Sequence, residues 1–432
     1  MRLSCSGFTP YPASLGQCGN SSGLEAGMTK KRLFEDLFRR AELRFDDFRR
    51  FLRRRFGIVR PLEVVPYLGF GSSERLYLKG RVIEDKGISQ ARLQDSRWRN
   101  LVNTYKRFIS DELPGARLEV CFQGARQEVV TDEKGYYSLW LEPTVGLPYR
   151  SPWLEVDITL LEPLREGHGE VRIKAPVMVP PANAQFGVIS DIDDTVVQTN
   201  AVKWLRVAAT VLFGNAKTRL PFKGVSAFYR ALQAGPTGTG FNPLFYVSSS
   251  PWNLYDLLLE FFRVEAIPLG PLMLRNWRDS AESSLIPKEH GPFKKGEIRR
   301  ILETFAGLPF ILIGDSGQED PEIYRDIVSD YPGRIMAVYI RNVSGESARS
   351  KDVAALAEKV KEAGSKLILA NDTLAAAKHA LGQGWICASA LPSIKARKEV
   401  DESRREETVV TVVDGASDGG DDHEPVRVEK LP

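Results

Sequence analysis

The stretch FGVISDIDDTVVQT, residues 186–199, is a short apolar run that stops at two aspartates one residue apart, Asp191 and Asp193, with Thr195 two further on. An apolar strand that ends in a carboxylate pair is poor packing, but it suits phosphate chemistry: one carboxylate can attack phosphorus while the other handles a proton. A helix cap or a turn needs one acceptor, not three acids. A calcium loop counted from Asp191 would need Gly at its sixth position and Glu at its twelfth, where this chain has Val196 and Val202.

Downstream the chain continues in the order a phosphoryl-transfer site needs. LFYVSSSPWN places Ser248, followed by Ser249 and Ser250, at the end of a second buried-type strand, and Pro251 can open a helix. A hydroxyl and a run of backbone N–H groups there can hold phosphate oxygens. PFKKGEIRRILETF reads as a helix with Ile298, Ile301, Leu302 and Phe305 on one face and Lys294 and Lys295 at its start. Lysines at a helix N-terminus are disfavoured by the dipole, which suggests a purpose beyond helix stability, the alternative being a solvated face. Either lysine can carry that role, because the register of the pair is open. PFILIGDSGQEDPEIY gives a third apolar strand, ending at Gly314 and Asp315 with Asp320 five residues on. GDSG also occurs in serine proteases of all-β fold, but here it follows a strand in an alternating strand–helix region. GNAKT at 214–218 lacks the spacing of a phosphate-binding P-loop.

In order, Asp191 and Asp193, Ser248, Lys294, and Asp315 with Asp320 resemble the four motifs of the haloacid dehalogenase superfamily of phosphohydrolases. More narrowly, SDIDDT, YVSSSPWNLY, LRNW and LIGDSGQEDPEIY followed by RIMAVYIR resemble the catalytic domain of the actin-patch-type phosphatidate phosphatases. The resemblance extends over roughly residues 60–390 and is strongest from Phe186 to Arg341; Asn276 stands where many members have an aspartate after the arginine of LRNW. It implies an Mg²⁺-dependent phosphatidate phosphatase that yields diacylglycerol and phosphate through an aspartyl-phosphate. Asp191 would be the nucleophile and Asp193 the acid and base, with Lys294 offsetting charge. Thr195, Ser248, Ser249 and Lys294 would hold the phosphate. Asp191, the backbone carbonyl of Asp193, and Asp315 would hold Mg²⁺, with Asp320 beside them in the metal site. The same site aimed at a soluble phosphomonoester or a nucleic-acid end is one alternative. A degenerate phosphatase acting as an interaction scaffold is another.

Apolar runs at 186–190, 244–247, 310–313, 335–340 and 366–370 alternate with helical stretches at 252–263, 295–305, 351–363 and 373–381. This predicts an α/β fold, doubly wound around a mainly parallel sheet over 175–395, which the resemblance implies to be of haloacid dehalogenase type, with the motifs at the carboxyl ends of the strands. The forty or so residues between Thr199 and Phe241 are too few for a large cap domain, so the site can admit a bulky or interfacial substrate.

Residues 60–165 have another texture. Short alternating strands are separated by Gly/Asp turns, with a hairpin signal at Asp132 to Gly135. They predict a small β-sandwich resembling the transthyretin-like type, linked onward by LREGHGE and by Pro176, Pro180 and Pro181. Before it, Phe34, Phe38, Ala41, Phe45, Phe48 and Leu52 recur at helical spacing within a strongly basic segment, predicting an amphipathic helix over 29–57. Such a helix can lie on an anionic bilayer or pack on the following domain; both readings stand.

Composition is compatible with two or three domains: 432 residues, 43% hydrophobic. A net charge of +3 gives no reason to expect a nucleic-acid partner, and four cysteines without a pairable pattern point to a reducing, cytoplasmic setting, peripheral to a membrane where the 29–57 helix engages one. Residues 1–28 and 396–432 are expected to be disordered, with Met28 an alternative start.

Overall fold

The computed structural model describes residues 61–84, 113–147, 151–164, 169–192, 224–275, 291–316, 319–342 and 347–400. The expected helix at 29–57, the segment 1–28 and the tail beyond 400 lie outside these residues. From Pro61 onward the chain is one compact unit built on two separate sheets.

The first sheet has eight strands: β1 (Leu62–Pro66), β2 (Gly69–Gly71), β3 (Leu76–Glu84), β4 (Arg117–Phe122), β5 (Ala125–Val130), β6 (Tyr136–Leu141), β7 (Trp153–Glu162) and β8 (Arg172–Met178). Its order is β1-β3-β2-β8-β7-β4-β5, with β6 also on β3. Every pairing is antiparallel except β2 with β8. Sequence dictates this through its turns. Gln123 and Gly124, both at positive φ (44° and 77°), close a two-residue hairpin between Phe122 and Ala125, the twist-matched geometry that favours Gly at its second position. The Asp132 turn also forms, its carboxylate accepting from the N–H groups of Lys134 and Tyr136, both at 2.9 Å. It does not close a hairpin: β5 pairs with β4 and β6 with β3. Alternation then buries Leu154, Val156, Ile158 and Leu160 of β7 with Leu76, Leu78 and Val82 of β3 in one core.

The second sheet has six strands, all parallel: β9 (Gly187–Asp191), β10 (Leu244–Pro251), β11 (Leu272–Arg275), β12 (Phe310–Asp315), β13 (Ile335–Arg341) and β14 (Leu367–Ala370), in the order β11-β10-β9-β12-β13-β14. The helices are α1 (Val225–Ala234), α2 (Tyr255–Val264), α3 (Gly291–Thr304), α4 (Asp320–Asp330), α5 (Ser347–Glu362), α6 (Thr373–Gly382) and a last one, α7, over 390–400. A parallel sheet covered on both faces needs continuous apolar strands, which β9, β10 and β12 supply. Val188, Tyr246, Ile311 and Ile313 pack with α1, α2 and α6, whereas Ile189, Phe245, Leu312 and Val338 pack with α3, α4 and α5.

The expected fold class, one doubly wound sheet of haloacid dehalogenase type behind a small sandwich, therefore requires correction. Among the described residues, eight of the fourteen strands form instead a separate, mostly antiparallel sheet, whose neighbours do not need the long crossovers of a parallel one. That sheet also runs past 165. Pro176, read from sequence as linker, sits within β8 opposite Glu155.

The two sheets share an aromatic seam. Tyr67, after β1, stacks on Trp252 with centroids 4.6 Å apart, and Lys79 Nζ lies 4.5 Å from the same ring centroid. The Tyr255 hydroxyl accepts from the Leu68 N–H at 2.7 Å, and the Tyr136 hydroxyl donates to Asn253 at 3.1 Å. Phe70 of β2 is fully buried, edge-on to Phe245 at 5.7 Å. Phe70→Ala is expected to cost about 3–5 kcal/mol of unfolding free energy, the range for a large aromatic truncated in a core. A denaturant titration showing less than about 1 kcal/mol would mean the seam does not hold the sheets together.

Candidate active site

Strand order reverses beside β9, so the carboxyl ends of β9, β10 and β12 border one crevice, the usual ligand position in open α/β sheets. Asp191 ends β9 level with Val247 of β10, directly before Ser248. Asp315 ends β12, whose Ile313 is level with Ser190. Parallel pairing thus brings the expected strand-end residues to one edge.

Helix α3 delivers the cation. Lys294 lies on the face that also carries Ile298, Ile301 and Leu302, so burying that apolar face buries the ammonium, which is only 2% exposed. Its Nζ pairs with Asp191 Oδ1 at 2.7 Å and with Asp320 Oδ1 at 2.9 Å. Lys295 turns away to Asp326 at 2.5 Å. Of the two lysines, the geometry gives the crevice to Lys294.

Asp320 opens α4 and is fully buried. Its Oδ1 is taken by Lys294, and its Oδ2 accepts from the Asp315 N–H at 3.3 Å. The carboxylate therefore ties Lys294 to the end of β12. Gly314 makes room for it, because a Cβ there would lie 2.5 Å from Asp320 Oδ2. Underneath, the Ser190 hydroxyl donates to the Asp191 carbonyl at 2.9 Å, and Tyr229 lies 2.6 Å from the same hydroxyl. With the serine proton committed to that carbonyl, Tyr229 is the donor. Tyr229 sits in α1, and nothing in the pattern of that helix marks it out.

Among the described residues, three buried carboxylates, Asp191, Asp315 and Asp320, face a single buried ammonium. Burial pushes the Asp191 carboxyl well above the usual carboxylate range, with Asp320 and Asp315 adding to the shift and Lys294 opposing it. Burial by itself would lower the Lys294 ammonium, but Asp191 and Asp320 outweigh it and hold the lysine charged. The negative surplus is what a hard divalent cation would balance, and carboxylate oxygens are its preferred donors. Among the described residues no three acidic, histidine or cysteine groups are gathered into a complete metal site. Asp193 and Thr195 lie outside the described residues.

On β10, Ser248 is fully buried and its Oγ accepts from the Ser250 N–H at 3.0 Å, while Ser249 Oγ has no hydrogen-bond partner among the described residues. A serine run ending a buried strand thus offers hydroxyls beside Asp191. Among the described residues no helix is long and apolar enough to cross a membrane.

Residues 186–342 match the family described as the catalytic domain of phosphatidate phosphatase APP1. The chain is 31% identical over 192 residues to phosphatidate phosphatase APP1 of Saccharomyces cerevisiae, an alignment covering 43% of this chain and 31% of that protein. It is 29% identical over 164 residues to an uncharacterized protein of Schizosaccharomyces pombe, covering 37% and 26% respectively. The matched segments thus span no more than about a third of these relatives. Among solved structures, a carbohydrate acetylesterase from Xanthomonas citri overlaps 70% of this chain and 75% of its own at 13% identity with a TM-score of 0.24, too shallow an overlap to carry an argument.

Removing Lys294 strands two buried carboxylates, so Lys294→Met is expected to cost about 3–5 kcal/mol of stability at neutral pH. The deficit should narrow as pH falls. A carboxyl with a raised folded-state pKa keeps a proton that the unfolded chain has released, so the associated stability is gained on acidification and lost as pH rises through the folded value. Denaturant unfolding of both proteins across the acidic range checks this, and a deficit independent of pH would contradict it.

Proposed function

We propose, from the match of residues 186–342 to the catalytic-domain family of APP1-type phosphatidate phosphatases, that this chain hydrolyses phosphatidate to diacylglycerol and phosphate in an Mg²⁺-dependent, two-step reaction. The observation that carries the reading is the buried chain Asp191–Lys294–Asp320 at the carboxyl edge of the parallel sheet.

In the first step Asp191 attacks phosphorus, the bond to the glycerol oxygen breaks with its electron pair on that oxygen, and Asp193 supplies the proton. In the second, Asp193 takes a proton from water, whose oxygen attacks the same phosphorus and returns Asp191 as a free carboxylate. Lys294 serves both steps by opposing the upward shift that burial imposes on the Asp191 carboxyl and by fixing its orientation, while Asp320 holds the lysine. Ser248 and Ser249 present hydroxyls to the phosphoryl oxygens. Asp191 and Asp315, with the neighbouring Asp193, would hold Mg²⁺, which supplies charge neutralisation for a dianionic substrate among carboxylates. Asp320 stands behind this set, because both its oxygens are already engaged.

The basic 29–57 segment would bring the site to an anionic membrane surface, where phosphatidate resides. The test is phosphate release from phosphatidate in mixed micelles, beside soluble phosphomonoesters, with and without Mg²⁺. Asp191→Asn and Asp193→Asn should each lower turnover by at least about a thousandfold, since each removes a participant in both bond changes. Release that survives Asp193→Asn would sink the mechanism, and activity confined to soluble esters would sink the lipid assignment.

A further inference from the structure

At the carboxyl end of β10 and β11, two buried polar atoms have no hydrogen-bond partner among the described residues: Ser249 Oγ and Arg275 Nη1. Among the described residues no carboxylate pairs with Arg275. Burying part of a guanidinium without an acceptor is costly, and a fold that keeps such a group does so where something else completes it.

Position says what that is. β11 is parallel to β10, with Arg275 opposite Pro251, and β10 is parallel to β9, with Val247 opposite Asp191. Adjacent strands lie about 4.8 Å apart and rise about 3.3 Å per residue; Val247 is level with both Asp191 and Met273, so the Cα of Arg275, two residues beyond Met273, is roughly 12 Å from that of Asp191, on the same edge of the sheet. The other flank holds Asp315 and Asp320, with Lys294 already committed between Asp191 and Asp320. The crevice is thus divided: acids toward β12, uncommitted donors toward β10 and β11. A phosphoryl dianion on Asp191 would meet the acid flank through a cation and the other flank directly.

We propose that Arg275, with Ser249, forms an anion-binding wall that takes the phosphoryl oxygens facing away from Asp315. The inference rests on the phosphomonoester reading above. A planar guanidinium offers two parallel N–H donors to phosphate, which a lysine cannot reproduce.

The probe is inorganic phosphate, read by thermal shift and titration on the full chain, alongside KM for phosphatidate and for a soluble phosphomonoester. Phosphate should raise the melting temperature of the wild type. Arg275→Gln should leave the ligand-free melting temperature unchanged or higher, because a buried guanidinium nitrogen without an acceptor is removed. The same variant should weaken phosphate binding and raise both KM values by about 10-fold to 100-fold, the range for a charge-assisted hydrogen bond. Arg275→Lys should fall between. A lowered ligand-free melting temperature with unchanged phosphate affinity would assign Arg275 a structural role and overturn the proposal, as would a wild type that phosphate does not stabilise. A wild type that binds phosphate through Arg275 yet hydrolyses no phosphomonoester would remove the proposed reaction and leave the anion site standing. A wild type that turns over phosphatidate with unaltered KM in Arg275→Gln would remove the wall and leave the reaction.

Discussion

The contact between one buried lysine and two buried aspartates organises this protein. Taking Lys294, Asp191 and Asp320 out of water costs several kcal/mol per ion, and their mutual attraction repays that only if geometry is tight and the remaining oxygens are bonded. The structure meets the first condition for all three groups and the second for Asp320. Lys294 reaches Asp191 at 2.7 Å and Asp320 at 2.9 Å, and the second oxygen of Asp320 is held by the Asp315 backbone. Such an arrangement adds little to stability compared with apolar residues of the same volume. What it does provide is a cation that opposes the upward shift burial imposes on the Asp191 carboxyl and holds that group in a fixed place.

That contact depends on elements far apart in sequence. Asp191 ends β9, Lys294 belongs to α3 and Asp320 begins α4, and parallel pairing of β9 with β12 is what brings their ends together. A bare Gly314 lets the Asp320 carboxylate close on the β12 backbone. The antiparallel sheet contributes from outside. Its Tyr67 stacks on Trp252, four residues after Ser248, and its Phe70 packs on Phe245 within β10. The serine-bearing strand is therefore clamped by the neighbouring sheet as well as by its own.

Much of the site is legible in the amino-acid sequence, because apolar strands that end in acids or hydroxyls are unusual. Asp191, Ser248 and Asp315 all stand out for that reason. Sequence does not choose between Lys294 and Lys295, since both lie within about one turn of Ile298 and either could share the buried face. It places Asp320 near the site but does not give its task, which depends on where each oxygen points. β11, four residues long, is too short to register as a strand, so Arg275 shows only as part of a resemblance. The overall fold is less legible for a related reason. Proline argues against a strand, so β8 with its Pro176 reads as a linker, and the full extent of the antiparallel sheet is hidden.

Asp191, paired with Lys294, is the group proposed to receive the phosphoryl. The direct measurement is to quench the enzyme during turnover of phosphatidate, reduce acyl phosphates chemically, and map the altered residue by peptide mass spectrometry. The account predicts conversion of Asp191 to homoserine, absent when substrate is omitted. Modification at another residue, or steady turnover with no covalent phosphate on the chain, would contradict it.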